Sequence, residues 1–163
     1  MSFPNEPNWL TVAREHLGTG EIPGKDTAPK IARWLRELRA WWSDDETPWC
    51  GTFMAVVMGS VEPPPKHWYR AKAWAEWGQP CAPQTGCIVV FERKGGGHVG
   101  LLVGKDQQGR LLVLGGNQGN RVSVAPFDPA RVLAYRWPHN RVPYADEKLA
   151  LYQSTEAAST QEA

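Results

Sequence analysis

Cysteine is scarce and odd in number: Cys50, Cys81 and Cys87 in a chain of 163 residues. That excludes a full disulfide framework. Cys81 and Cys87 are close enough in sequence to bridge, which would leave Cys50 alone; three reduced thiols is the reading that suits a chain without a signal segment. No paired Cys or His spacing of the usual zinc kind occurs, so no metal and no cofactor is expected. Net charge is also nearly absent, at +1, which removes the bulk electrostatic argument for nucleic acid. No apolar run is long enough to span a bilayer. The opening Met1-Ser2-Phe3-Pro4-Asn5-Glu6 has no basic flank followed by an apolar core, so no signal peptide is legible. The expectation is synthesis in the cytoplasm, with any role outside depending on export by another agent.

What is abundant is tryptophan, at nine residues. Most of these rings are expected in the core of a small domain, and a few in a groove for a sugar or peptide. One domain over residues 1–140 accounts for the patterned sequence. A polar tail, 141–163, follows, with a short helix expected over Glu147–Tyr152 and low complexity from Ser154.

The helical periodicity comes first. Asn8 is a candidate cap for a helix that carries Trp9, Leu10, Ala13 and Leu17 and stops at Gly18 and Gly20. His16, near its end, reads as a surface histidine. A second helix is expected over about Pro29–Trp41, with Ile31, Trp34, Leu35 and Leu38 on one face. The run Asp44-Asp45-Glu46-Thr47-Pro48-Trp49-Cys50 reads as an acidic turn, a Thr cap and a proline at the first position of a third helix, Pro48–Met58. That helix is apolar nearly all round and should be buried. A fourth helical piece is expected over Trp68–Trp77.

From Cys87 the period becomes that of strands: Ile88–Phe91, His98–Gly104, Arg110–Leu114, Arg121–Val124 and Val132–Trp137. Helices first and a meandering sheet of about five strands second make an α+β domain.

Two pieces carry chemistry. Cys50 at a helix start has the dipole and first-turn N–H groups that favour a thiolate. His98 opens a strand after three glycines. A loop at Asp106–Gly109 pairs Lys105 with Arg110 and, counted back, His98 with Asn117, whose amide would accept the Nδ1–H and orient the ring. A bulge at Gly115-Gly116 would favour Gln118 instead. Cys50, His98 and Asn117 are thus the candidate catalytic set, with Trp49 and Gln118 as candidate substrate-binding neighbours.

Pro48-Trp49-Cys50-Gly51-Thr52-Phe53, Gly86-Cys87-Ile88-Val89-Val90-Phe91, Gly97-His98-Val99-Gly100 and Gly115-Gly116-Asn117-Gln118 together resemble the CHAP and NlpC-type cysteine peptidases and amidases. Trp9-Leu10, Glu21-Ile22-Pro23-Gly24 and Tyr135-Arg136-Trp137-Pro138 are similar to a phage-associated branch of them, so that the likeness covers about residues 8–138. The resemblance implies a papain-like fold, a nucleophile at Cys50 and a base at His98. Its acidic position falls on Gly115, and the usual Asp at the start of the second piece is Cys87. It also implies a peptidoglycan substrate, cleaved at an amide bond without metal or cofactor. The setting would be a phage lysin released by a holin, or a secreted effector with a cognate immunity protein. From a different class, the tryptophans could make a catalytically silent cell-wall or phage-structure binding module; a thiol transferase or deamidase would use the same site.

Overall fold

The computed structural model describes residues 6–20, 28–42, 48–143 and 151–152. The acidic run, Thr47 and the Glu21–Asp26 loop lie outside them. The architecture is α+β. Three helices come first: α1 (Asn8–Arg14), α2 (Pro29–Glu37) and α3 (Cys50–Met58). A 3₁₀ segment, Ala71–Glu76, leads into the strands β1 (Gln79–Pro80), β2 (Ile88–Arg93), β3 (Gly96–Asp106), β4 (Leu111–Gly115), β5 (Ser123–Phe127) and β6 (Val132–Trp137). These six form one antiparallel sheet in the order β1-β6-β2-β3-β4-β5, and β7 (Leu151–Tyr152) adds in parallel to the far end of β3. Leu151 and Tyr152 therefore pair as strand rather than ending a helix. Two residues of sheet contact at Lys105 and Asp106 satisfy backbone groups that an isolated turn of helix would leave to water.

Helix bounds differ from the sequence pattern where the backbone is capped by something other than a side chain. Asn8 is the first residue of α1 and not its cap; extended Pro7 holds the cap position, and Leu10 N–H donates to the Pro7 carbonyl at 3.0 Å. In α3 the cap is Trp49, so Cys50 is itself the first helical residue and Pro48 precedes the helix. The fourth helical piece is 3₁₀ and begins at Ala71, after turns at Trp68 and Tyr69. Helix α2 stops at Glu37, well before Trp41. Arg39 takes a left-handed φ of 59°, Ala40 N–H donates back to Leu35 O (2.9 Å) and Arg39 N–H to Arg36 O (3.1 Å). That double bond pattern is a Schellman ending, which satisfies the last carbonyls and turns the chain off the helix axis.

Every residue of α3 but Val56 is buried. It packs on β3 and β4, and α1 and α2 pack on it in turn. Such an apolar helix can only sit at the centre of the fold. Six of the nine tryptophans are buried, among them Trp9, which meets Trp137 edge-on at 5.0 Å and donates its indole N–H to Gly86 O at 2.8 Å. His16 is half-buried, and its ring packs edge-on against Trp34 at 5.2 Å and Phe53 at 6.0 Å.

The β3–β4 register positions the site. The hairpin starts with Lys105 opposite Leu111, one residue later on β4 than loop length implies. A bulge between Leu102 and Gly104 then shifts the ladder back, so that Leu101 faces Leu114. Two one-residue slips cancel, and the register nearest the site is the one that counting the loop gives.

Candidate active site

Extended three residues beyond Leu101–Leu114, that register would set His98 opposite Asn117. The ladder does not reach so far. β4 ends at Gly115, and Asn117 reverses the chain with a left-handed φ of 58°. The side chain that returns to His98 is Gln118: its Oε1 lies 2.8 Å from His98 Nε2. The amide of Gln118 is held on its other side, where Nε2 donates to Ser123 O (2.7 Å) and Val113 O (3.1 Å). With its NH₂ committed to two carbonyls, the glutamine can present only oxygen to the ring. The imidazole must then carry a proton on Nε2 as donor, so that any proton it gains or gives up in chemistry is on Nδ1. Strand counting put the orienting bond on Nδ1–H from Asn117, with Gln118 as the alternative if the chain bulged at Gly115-Gly116; the contact seen is the alternative residue, and it is made at Nε2.

Glycine makes this contact fit. A Cβ on Gly115 would collide with Gln118 Oε1 and stand 3.3 Å from His98 Nε2. A Cβ on Gly116 would come within 2.6 Å of Phe53 Cβ and 3.0 Å of the Trp49 ring. The Gly115-Gly116 pair therefore lets the glutamine, the histidine and the first turn of α3 close on one another.

His98 is wholly buried. Its ring stacks on Phe127 with centroids 5.2 Å apart and planes at 10°, and Phe91 lies beyond at 6.4 Å. These rings, with the Ser123 hydroxyl that donates to Gln118 O (3.0 Å), are parts of the site that sequence inspection passed over. Only the aromatic Phe91 and Phe127 on neighbouring strands could have signalled them.

Cys50 sits against the next residue of the same strand. The backbone N–H of Val99 faces its thiol, as do the first-turn N–H groups of Gly51 and Cys50, and Arg93 adds positive charge. All four favour the thiolate. Burial is larger than their sum and pushes the thiol up to about 11. The helix start therefore does not by itself deliver an anion here. A thiol held neutral must lose its proton before it can act as a nucleophile.

Trp49 is buried behind this turn, 6.3 Å from Trp34, and acts as packing for α3. Asn117 Oδ1 and Thr52 Oγ1 are buried with no hydrogen-bond partner among the described residues. All three cysteines are free thiols. Cys81 and Cys87 hydrogen-bond to each other; that bond and the Arg136 charge hold the half-buried Cys81 thiol below its usual value, and burial lifts Cys87 well above it. Among the described residues no group of three or more His, Cys, Asp or Glu side chains is placed to hold a metal ion, and no helix is long and apolar enough to cross a membrane.

No protein-family model matches this sequence, and no curated protein matches it.

Proposed function

We propose that the chain is a papain-like cysteine hydrolase that cleaves an amide bond of bacterial cell-wall peptide. The observation that carries the reading is the His98 Nε2 held on an anchored Gln118 amide oxygen, one residue from the amide that faces the Cys50 thiol. A fully buried histidine needs its polar atoms matched. A glutamine anchored at both ends matches Nε2, and the reading gives Nδ1 the part of general base.

In this mechanism Cys50 Sγ attacks the amide carbonyl while its proton passes to His98 Nδ1. The N–H groups at the start of α3 stabilise the developing oxyanion. The imidazolium returns the proton to the leaving amine, and a thioester to Cys50 remains. Water, deprotonated by Nδ1, hydrolyses the thioester and frees the thiol. Gln118 keeps Nε2 protonated throughout and spreads the imidazolium charge.

The resemblance to CHAP and NlpC-type enzymes supplies the substrate class. Its departure at Gly115 has a physical counterpart. The room that an acidic side chain would need is filled by Gln118 Oε1, which serves the same ring. Delivery to the wall by a holin or a secretion machine, and an immunity protein in a producer, belong to the same proposal.

The burial of Cys50 and its high pKa favour one other reading, a catalytically silent binding module. Purified protein and its Cys50→Ala variant, each incubated with peptidoglycan sacculi, separate the two. Mass spectrometry of the supernatant should find fragments with new amine termini only for the intact cysteine. Equal binding of both proteins without any fragment would remove the hydrolase reading.

A further inference from the structure

The Schellman ending of α2 sends Trp41 into solvent, and its side chain is 88% exposed. Such exposure is costly for an indole unless the ring serves a surface role. The ring is not alone. Trp42 meets it edge-on at 5.1 Å, and Trp42 in turn lies 5.8 Å from Trp68 and 5.5 Å from Tyr69. Trp68 and Tyr69 are themselves 5.5 Å apart. The cluster is anchored from below, because the Trp74 indole donates to Trp68 O at 2.9 Å. A Cβ on Gly51 would collide with that same carbonyl and press on Tyr69. The aromatic group is therefore built directly onto the turn that carries Cys50.

Its rim is polar. The Tyr69 hydroxyl is 3.0 Å from His67 Nδ1, and the Arg70 guanidinium lies 5.8 Å over the Tyr69 ring. The other exposed large apolar residues, Val12, Leu17, Val124, Leu133 and Val142, all come from other segments. One exposed indole, backed by partly buried rings and with hydroxyl, imidazole and guanidinium nearby, suits a ligand with polarised C–H groups on its face and hydroxyls around its rim. A pyranose ring has that pattern: its axial C–H groups meet the negative π face, and its hydroxyls reach the rim donors.

We propose that Trp41, backed by Trp42, Trp68 and Tyr69, is a stacking platform for the sugar rings of a glycan strand. It holds the carbohydrate beside the Cys50 turn while the attached peptide is cut. The platform rests on the cell-wall reading for its link to catalysis, and not for sugar binding itself.

The test uses the full chain as Cys50→Ala, which cannot turn over, titrated with a peptide-free β-1,4-linked N-acetylglucosamine tetramer. Indole N–H resonances are followed by NMR, with that of Trp41 assigned by its loss in Trp41→Phe. The expected result is a saturable shift at Trp41, with affinity at least tenfold weaker in Trp41→Ala and partly kept in Trp41→Phe. No shift, or equal affinity in Trp41→Ala, overturns the platform. A stronger response to anionic lipid vesicles or to a single-stranded oligonucleotide at equal concentration overturns it as well. Hydrolysis is scored separately, with Cys50 intact, on a free stem peptide and on the glycan-linked peptide. Sugar binding without hydrolysis of either substrate sinks the hydrolase reading and leaves the platform. Hydrolysis of both at equal rates, without sugar binding, sinks the platform alone.

Discussion

Asp106 and His98 stand at opposite ends of β3, and both are buried, Asp106 at 1% exposure and His98 at 0%. Asp106 is satisfied by its own turn. Its Oδ1 accepts from Gln108 N (3.0 Å) and Arg110 N (2.9 Å), and its Oδ2 from Arg110 Nε (2.6 Å). Every partner lies within four residues, so the network forms when the hairpin forms. His98 is held from twenty residues away, by Gln118, while Asn117 Oδ1, on the residue before Gln118, and Thr52 Oγ1, on α3, are buried without partners among the described residues. Buried polar groups left unpaired are unfavourable, by about 1–3 kcal/mol each. Such unpaired oxygens are groups that a bound ligand or water can satisfy. The contrast separates a polar cluster that makes the hairpin from the one for which chemistry is proposed.

The largest expected effect tests that division directly. Cys50→Ala should lower turnover of the cell-wall peptide by about a millionfold, as loss of a nucleophile does in other covalent hydrolases. Its circular dichroism and melting temperature should change little. Asp106→Asn should do the reverse, with turnover within a few-fold of the parent protein. Loss of activity in both variants together, at unchanged fold, would mean that the two ends of β3 are not functionally distinct.

Next in size is the choice between the two amides. Gln118→Leu removes the acceptor that fixes the imidazole, and the rate should fall about a hundredfold or more, the usual contribution of a positioned base. Its pH–rate profile should change shape as well, because the ring is no longer held in one tautomer. Asn117→Gly keeps the left-handed backbone at that position and should leave the rate within a few-fold. A large loss with Asn117→Gly and a small one with Gln118→Leu would restore the asparagine to the role that strand counting assigned it.

How legible these two ends were in the sequence differs for a physical reason. The hairpin was readable because its signals are local: an acidic residue, two glutamines and a glycine, whose φ is 80°. The strand positions, the buried α3 and the place of Cys50 near a helix start follow from periodicity, which a chain carries openly; the meander does not hold, because Val132–Trp137 pairs with β2 and not with the strand before it. The orienting residue was not readable. It depends on whether the chain past Gly115-Gly116 runs on as strand or turns back at Asn117, and two glycines permit either. The compensating bulge at Val103 is likewise invisible, since nothing in Leu101-Leu102-Val103-Gly104 distinguishes a bulged residue from a paired one. The Cys50 pKa was misjudged because the sequence shows the helix start but not the depth of burial, and burial is the larger effect.

Thiol reactivity sharpens the picture of the site at rest. Cys81 is half-buried and held below the usual thiol pKa by the Cys87 hydrogen bond and Arg136, so it should react first with iodoacetamide. Cys50, raised to about 11 and 3% exposed, should label roughly ten- to a hundredfold more slowly near neutral pH, and faster as pH climbs toward that value. Cys87, buried and raised well above normal, should be slowest. Peptide mapping after timed quenching reads all three at once. Fast labelling of Cys50 at pH 7 would mean that the resting site holds a thiolate–imidazolium pair and not two neutral groups.

The smallest effect concerns the closed end. Burial alone would raise the Asp106 pKa. The Arg110 backbone N–H and guanidinium, with the Gln108 N–H, outweigh it and hold the carboxyl below its ordinary range. A carboxyl whose folded pKa is depressed stabilises the fold above its unfolded pKa, and loses that contribution as pH falls through the folded value. At neutral pH Asp106→Asn should therefore destabilise the chain by about 2 kcal/mol, the scale of a charged hydrogen bond. That corresponds to a fall in Tm of roughly 4–8 °C for a domain of this length. The gap between parent and variant should be constant from pH 7 down to about 4. It should then narrow as the acid range is entered, because the parent protonates and loses the same charge. A gap independent of pH would show that Asp106 acts through packing and its neutral hydrogen bonds. The two ends of β3 would then differ in where their partners come from, and not in how charge is used.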